Sequence, residues 1–251
     1  MNLTSIAPNR IDLPAAAHAI SKLLSNKEDT KAVFEIMTAL SGSSVSNGYR
    51  KLLRSVEGGK MALQAKELQP ILDDHETLAT LPIGSLGRAY LDFVQGRKIS
   101  AEGLADESRK VGNQIDAAHP HAWYARRMRD VHDLWHVLSG YNTDALGEVC
   151  VVAFSFAQTK SSGFALIAAA GANELQRLLP GHPVRRATWQ AYINGRRAAW
   201  LPAADYPALL HEPLVEVRKQ LNIAEPTHYL SIPARAREGV SSDLKGELVA
   251  G

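Results

Sequence analysis

Two imidazoles and a carboxylate stand at a spacing that suits a metal ion. His132 and His136 are four residues apart, and Glu148 follows twelve residues later. A four-residue step along a helix returns close to the same face, so the two rings of His132-Asp-Leu-Trp-His136 project together. Neutral imidazoles with a carboxylate suit Zn²⁺, and Fe²⁺ and Mn²⁺ also accept two histidines with oxygen ligands. Asp133, about 100° around the helix from His132, is either a further ligand or an acceptor for a ring N–H. The residues alone leave three readings open: a metal centre, a buried hydrogen-bonded histidine pair, or another polar network.

A basic cluster precedes the pair. Arg129, three residues before His132, is the member best placed to point into the site and hold negative charge. Arg126 and Arg127 suit a solvated face or an anionic group equally. His119 and His121 flank Pro120 and suit helix entry or solvent better than ligation, and Trp135 suits packing. The pattern bears a superficial resemblance to the His-Glu-x-x-His of metallopeptidases. There the intervening carboxylate acts as general base, and the shorter Asp133 reaches less far, so a peptidase is the weaker reading.

These side chains need helices to carry them. Helix formers dominate the 251 residues, and period-2 alternation is scarce, so the expectation is an all-α protein: one multi-helix domain around a central helix pair. Pro120 predicts a helix start near His121 or Ala122, running to Leu138 and stopping at Ser139-Gly140. Thr143 or Asp144 caps the next helix, which places Glu148 about one turn inside it, with Val149, Val152, Ala153 and Phe156 toward the core. Facing each other, these two helices bring His132, His136 and Glu148 together.

Around that pair, helices are expected at residues 15–24, 30–40, 46–56 and 62–72, with Gly58-Gly59 as a break, and a short one after Ser100. In Leu81-Pro-Ile-Gly-Ser-Leu-Gly87, Ser85 is an N-cap, followed by Leu86, Ala89, Tyr90 and Phe93 at helical spacing. Gly84 and Gly87 there either mark a plain loop or permit close approach by a ligand or neighbouring helix. Later helices are expected over residues 184–194, with Trp189 and Tyr192, and over 209–221, where Pro213 demands a first turn or a break. The polar end of the chain reads as loosely ordered.

Composition excludes several classes. The formal charge of +2 names no partner and gives no nucleic-acid field. A single cysteine, Cys150, rules out an intrachain disulfide framework and a multi-thiolate zinc site, and its valine neighbours suit burial. The start, Met1 to Arg10, lacks the pattern of a secretory signal, so a cytoplasmic protein is the expectation. The nearest approach to a membrane span, Gly147 to Gly171, is interrupted by Gln158 and Lys160; peripheral contact through Arg185, Arg186, Arg196 and Arg197 stays open. No phosphate-binding glycine loop, dinucleotide fingerprint or serine nucleophile elbow is present.

With Arg127-Met-Arg-Asp-Val-His-Asp-Leu-Trp-His-Val-Leu-Ser-Gly140 followed by Leu146-Gly-Glu148, the chain resembles the Coq4 family of ubiquinone-biosynthesis proteins. The match reproduces that family's His-Asp-x-x-His, eleven residues, Glu. Leu81-Pro-Ile-Gly-Ser-Leu-Gly87 is similar to its Leu-Pro-x-Gly-Thr-Leu-Gly segment, and Trp189, Gly195 and Leu214-Val-Glu-Val-Arg218 add support. The resemblance spans roughly residues 78 to 226. It implies a helical core over 76–226, a helical layer over 1–75 belonging to the same domain, and a tail over 227–251. It further implies a divalent metal, zinc before iron or manganese, held by His132, Asp133, His136 and Glu148, with Asp133 and Arg129 in catalytic roles. The implied activity is oxidative decarboxylation at ring C1 of a polyprenylated aromatic acid, within an assembly of ubiquinone-biosynthesis proteins; a noncatalytic lipid-intermediate scaffold is the alternative. Peripheral contact with a bacterial inner membrane, or with the matrix face of a mitochondrial one, and a homo-oligomer complete the implied picture.

Overall fold

Local side-chain caps start many of the helices of this protein. The computed structural model describes residues 43–96 and 119–246. Among them are fourteen α-helices and one 3-10 turn: α1 (Ser44–Leu52), α2 (Val56–Gln64), α3 (Gln69–Leu72), α4 (His75–Thr80), α5 (Leu86–Gln95), α6 (Pro120–Asp130) and α7 (His132–Ser139) come first. Then follow α8 (Ala145–Thr159), α9 (Ser162–Leu178), α10 (Val184–Arg197), the 3-10 turn Leu201–Ala203, α11 (Tyr206–Leu209), α12 (Leu214–Gln220), α13 (Thr227–Leu230) and α14 (Ala234–Gly246). Among the described residues no strand forms, and an isolated antiparallel bridge joins Ser85 to Pro213. The expected all-α class and single domain hold. The helices expected at residues 15–24 and 30–40, and the one after Ser100, lie outside the described residues.

The caps follow the chemistry of short polar side chains, whose oxygens accept from backbone N–H groups three residues on. Ser85 accepts from Arg88 N at 3.2 Å and starts α5; Asp144 accepts from Gly147 N at 3.0 Å and starts α8. His119 caps α6 through its ring, accepting from His121 N at 3.1 Å, with Pro120 at the first helical position. Both expected N-caps, Ser85 and Asp144, are therefore real, and His119 has a helix-entry role.

Helix α8 is the axis of the packing. Its Val151 and Phe154 face one apolar cluster, shared with α5, α7, α11 and α12, while Leu146, Cys150 and Ala153 face another, shared with α9, α10, α13 and α14. A helix that is apolar on two sides must be covered on both. Of its expected core residues, Ala153 is buried, whereas Val149, Val152 and Phe156 are half-buried. Gly195 lets α10 lie close on α8: an added Cβ would sit 2.7 Å from Phe154 O. Gln158 pins the same seam, donating to Gly195 O at 2.6 Å and accepting from Leu201 N at 2.9 Å. The longest apolar run thus becomes two helices, broken at Lys160 with φ 61°, and no described helix is long and apolar enough to cross a membrane.

Several boundaries differ from expectation. Gly58 and Gly59 lie inside α2, and the break comes later, at Ala65 with φ 45°. Burial of the apolar face around Met61 and Ala62 outweighs the weak helix propensity of the two glycines. The helix leading to Gly140 is interrupted at Val131, where ψ is −2°, dividing it into α6 and α7. The expected helix at 209–221 forms only after Pro213, as α12, because α11 has already ended at Leu209. Leu214 N donates to Gly84 O and Gly87 N to Leu210 O, both at 2.9 Å. Gly87 serves close approach of another chain segment, since an added Cβ would sit 2.9 Å from Leu210 O, whereas Gly84 has open space there and supplies a φ of 86°. Near the end of the described residues α14 runs to Gly246, and Tyr229, Ile232 and Val240 are buried in the cluster around Cys150.

Candidate metal centre

Helix geometry sets the first two groups of the site. His132 and His136 stand one turn apart on α7, their Nε2 atoms 3.3 Å from each other. Glu148, one turn into α8, brings Oε2 to 3.4 Å from His136 Nε2 and 3.8 Å from His132 Nε2. One ligand atom from each residue lies within 4.8 Å of the others. In a tetrahedral zinc site with metal–nitrogen bonds near 2.0–2.1 Å, ligand atoms are separated by about 3.3–3.4 Å. Two of the three edges match that figure and the third is slightly open, so the donor set fits a small divalent ion.

A second feature supports the fit. His136 Nδ1 lies 3.1 Å from the carbonyl of Tyr141, just beyond the turn that ends α7. Donation to that carbonyl puts the proton on Nδ1 and leaves the Nε2 lone pair directed at the cluster, the arrangement that orients a ligating imidazole. Phe93 stacks on the His136 ring at 5.4 Å. The His136 side chain is 1% exposed, while those of His132 and Glu148 are 29% and 45% exposed. The cluster is thus rigid on the His136 side and open to solvent on the other, as a site with a vacant coordination position requires.

Electrostatics show how much charge the site concentrates. Burial opposes ionisation of Glu148, yet the adjacent His136 and His132 hold its carboxyl well below the usual range. Burial likewise opposes protonation of His132, and its hydrogen bond to Glu148 with that residue's charge raises it above the ordinary imidazole value. A divalent cation replaces this proton-based attraction with a stronger one, because it interacts with all three donors at once.

The other expected site residues are elsewhere. Asp133 is buried and lies outside the three-residue cluster; its charge bears on Tyr90 and His132. Arg129 is held by its neighbour Asp130, with Nη2 2.8 Å and Nε 2.9 Å from Oδ1. Arg126 pairs with Glu67 at 2.7 Å, and Arg127 is buried with Nε donating to Pro202 O at 3.0 Å. Arg126 and Arg127 therefore tie α6 to other segments, while Arg129 is held within α6. Trp135 packs in the core, donating to Tyr206 Oη at 2.7 Å, and Cys150 is buried. Sequence reasoning missed Tyr141 O and Phe93 beside His136: a backbone carbonyl has no residue-type signature, and Phe93 reads as ordinary core.

The arginines of α10 fare differently. Arg185, Arg186, Arg196 and Arg197 are exposed. Positions 185, 189, 192 and 196 share one helical face. On that face Trp189 is 64% exposed and lies 5.3 Å from the Tyr192 ring, and Arg196 and Lys160 stand over Tyr192 at 6.0 and 5.9 Å.

Comparison with known proteins shows the family and the fold. Residues 8–227 match the family model for the coenzyme Q (ubiquinone) biosynthesis protein Coq4, a longer span than the motifs alone cover. A mitochondrial ubiquinone biosynthesis protein COQ4 homolog from Danio rerio is 35% identical over 173 residues, which is 68% of this chain and 60% of that protein. Its Bos taurus counterpart is 31% identical over 200 residues, 76% of this chain and 71% of that protein. A crystal structure of a candidate ubiquinone biosynthesis protein from Nostoc punctiforme superposes with a TM-score of 0.65 at 21% identity, covering 84% of this chain and 98% of the other, which shows a shared fold. The chain belongs to the Coq4 family of coenzyme Q (ubiquinone) biosynthesis proteins.

Proposed function

We propose that this protein is a metal-dependent enzyme of ubiquinone biosynthesis that replaces the C1 carboxylate of a polyprenylated aromatic acid by hydroxyl. The observation that carries the reading is the convergence of His132, His136 and Glu148 with His136 oriented by Tyr141 O. These three residues would hold a divalent ion, zinc before iron or manganese. When bound, it supplies Lewis-acid polarisation of a substrate oxygen. The chain's own contribution is to orient that oxygen at the cluster. Conversion of an aromatic carboxylic acid and water to a phenol and carbon dioxide releases two electrons and two protons. Zinc has no redox couple, so dioxygen or another external acceptor must take the electrons. With Arg129 engaged by Asp130 and Asp133 outside the cluster, neither is assigned a role at the reacting atoms.

The test is anaerobic purification with metal quantification, followed by incubation of a polyprenylated hydroxybenzoate with oxygen and mass analysis of the ring product. Folded His136→Ala and Glu148→Ala variants are expected to lose both metal and conversion. Conversion by protein stripped of metal would sink the metal mechanism. Metal binding without turnover under any acceptor would favour a scaffold that holds lipid intermediates for other ubiquinone-biosynthesis proteins.

Contact with a membrane is assigned to the outer face of α10. From Val149 to Ala204 the chain has six basic residues and one acidic residue, Glu174. Exposed aromatic rings among cations suit the headgroup region of an anionic bilayer. Trp189→Ala combined with Arg185→Gln and Arg196→Gln is expected to abolish cosedimentation with phosphatidylglycerol vesicles at low salt; undiminished cosedimentation would rule this face out.

A further inference from the structure

Beside His136 lies an open groove of about 470 Å³. Phe93 and His136 form one wall, Leu214 and Leu230 supply apolar surface, and Arg218 and Arg237 bring positive charge. The two arginines differ in one respect. Arg237 lies 3.1 Å from the buried carboxylate of Asp144, whereas Arg218, on which the charge of Glu225 acts, has no carboxylate within salt-bridge distance among the described residues. Arg218 is half-buried and spends Nε and Nη2 on neutral acceptors, Leu138 O at 2.9 Å and Val137 O at 2.8 Å, carbonyls of the last turn of α7. Its Nη1 has no protein hydrogen-bond partner among the described residues. A half-buried guanidinium bonded only to carbonyls keeps unused capacity for an anion, and its planar fork suits a carboxylate. Asp92, the acidic residue on the groove's wall, is engaged by Arg88 at 3.5 Å.

We propose that Arg218 is the anion anchor of this groove, binding the carboxylate of an aromatic acid whose ring lies against Phe93 and Leu214, next to His136. Arg218 is a positioning residue here. Its hold on the end of α7 also fixes the helix that carries both histidines, so substrate binding and the alignment of the imidazoles share one side chain. The choice of an aromatic acid rests on the function proposed above; the preference for an anion rests on Arg218 alone.

Calorimetric titration of the full-length protein, metal-stripped and zinc-loaded, with 4-hydroxybenzoate and the neutral 4-hydroxybenzamide tests this. Stripped wild-type protein is expected to favour the acid by about tenfold or more, the scale of a hydrogen bond to a charged group. Arg218→Gln is expected to remove that preference, and Arg218→Lys to keep part of it as a point charge without the fork. Equal binding of acid and amide by the wild type, or an unchanged preference in folded Arg218→Gln, overturns the anchor. A preference that needs zinc and survives in Arg218→Gln assigns the anion to the metal, which overturns the anchor and leaves the proposed function standing. Inorganic phosphate displacing the benzoate at tenfold lower concentration overturns the carboxylate assignment. If Arg218→Gln does not fold, the Arg218→Lys preference decides: a reduced value supports the fork, and a value equal to wild type overturns it. A preserved preference with no turnover would sink the proposed reaction and keep the anchor.

Discussion

Asp144 and Glu148 sit one turn apart on the same helix, and the protein treats them in opposite ways. The Asp144 side chain is 4% exposed and saturated: it caps Gly147 N at 3.0 Å, accepts from Tyr229 Oη at 2.6 Å and meets Arg237 Nη1 at 3.1 Å. Glu148 is 45% exposed and faces two imidazoles that would give up their lone pairs to a metal. A carboxylate whose acceptor sites are all taken by protein donors holds a fold together. One left facing other potential ligands, with solvent beside it, is available for binding. Burial and partner count, more than residue type, separate the structural acid from the functional one.

The difference can be broken at either residue. The largest effect is expected from Asp144→Ala, which removes a helix cap and leaves Arg237 buried without its acid. Urea denaturation should show a loss of about 3–5 kcal/mol. A loss under about 1 kcal/mol would mean that the network is incidental. Glu148→Ala is expected to lower metal affinity by more than the about 10–100-fold typical of losing a mere orienting partner. In chelated protein the same substitution should change stability by under about 1 kcal/mol, because solvent screens a carboxylate that is 45% exposed. Competition with a chromogenic chelator reads the first quantity and urea denaturation the second; a large stability loss without a change in affinity would reverse the assignment.

The smallest effect sharpens the contrast from inside the cluster that α8 shares with α9 and α10. Cys150 is buried and its thiol is pushed well above the usual range by that burial, so native protein should resist a thiol reagent until it opens. Asp144→Ala should speed labelling in proportion to its lost stability, and Glu148→Ala in chelated protein should leave the rate within a few-fold of wild type. Rapid labelling of the native wild type would show that the region around Cys150 is not closed.

Much of the site was legible before any tertiary contact was known, because its grammar is local. The four-residue spacing of His132 and His136, and the caps at Ser85 and Asp144, depend on atoms within one helical turn. What the sequence left ambiguous is equally instructive. Asp133 looked able to reach the metal, and Arg129 to point into the site and hold negative charge. Arg129 instead pairs with its own neighbour Asp130, and Asp133 is buried away from the cluster. Angular position on an ideal helix says where a side chain starts, while the partners that packing brings up decide where it ends.

By itself, the sequence determined that this is a helical protein with two imidazoles on one helical face and a carboxylate near the start of the next helix. Helix periodicity and capping reach only three or four residues, which is the range over which composition and spacing speak. Only the tertiary structure decided that Glu148 closes on the pair, that Tyr141 O aims His136, that Arg218 meets the end of α7, and that residues 227–246 fold back. Those contacts join residues up to ninety-three positions apart, as Asp144 and Arg237 are. They are selected by which apolar faces can be buried together, a property of the assembled chain.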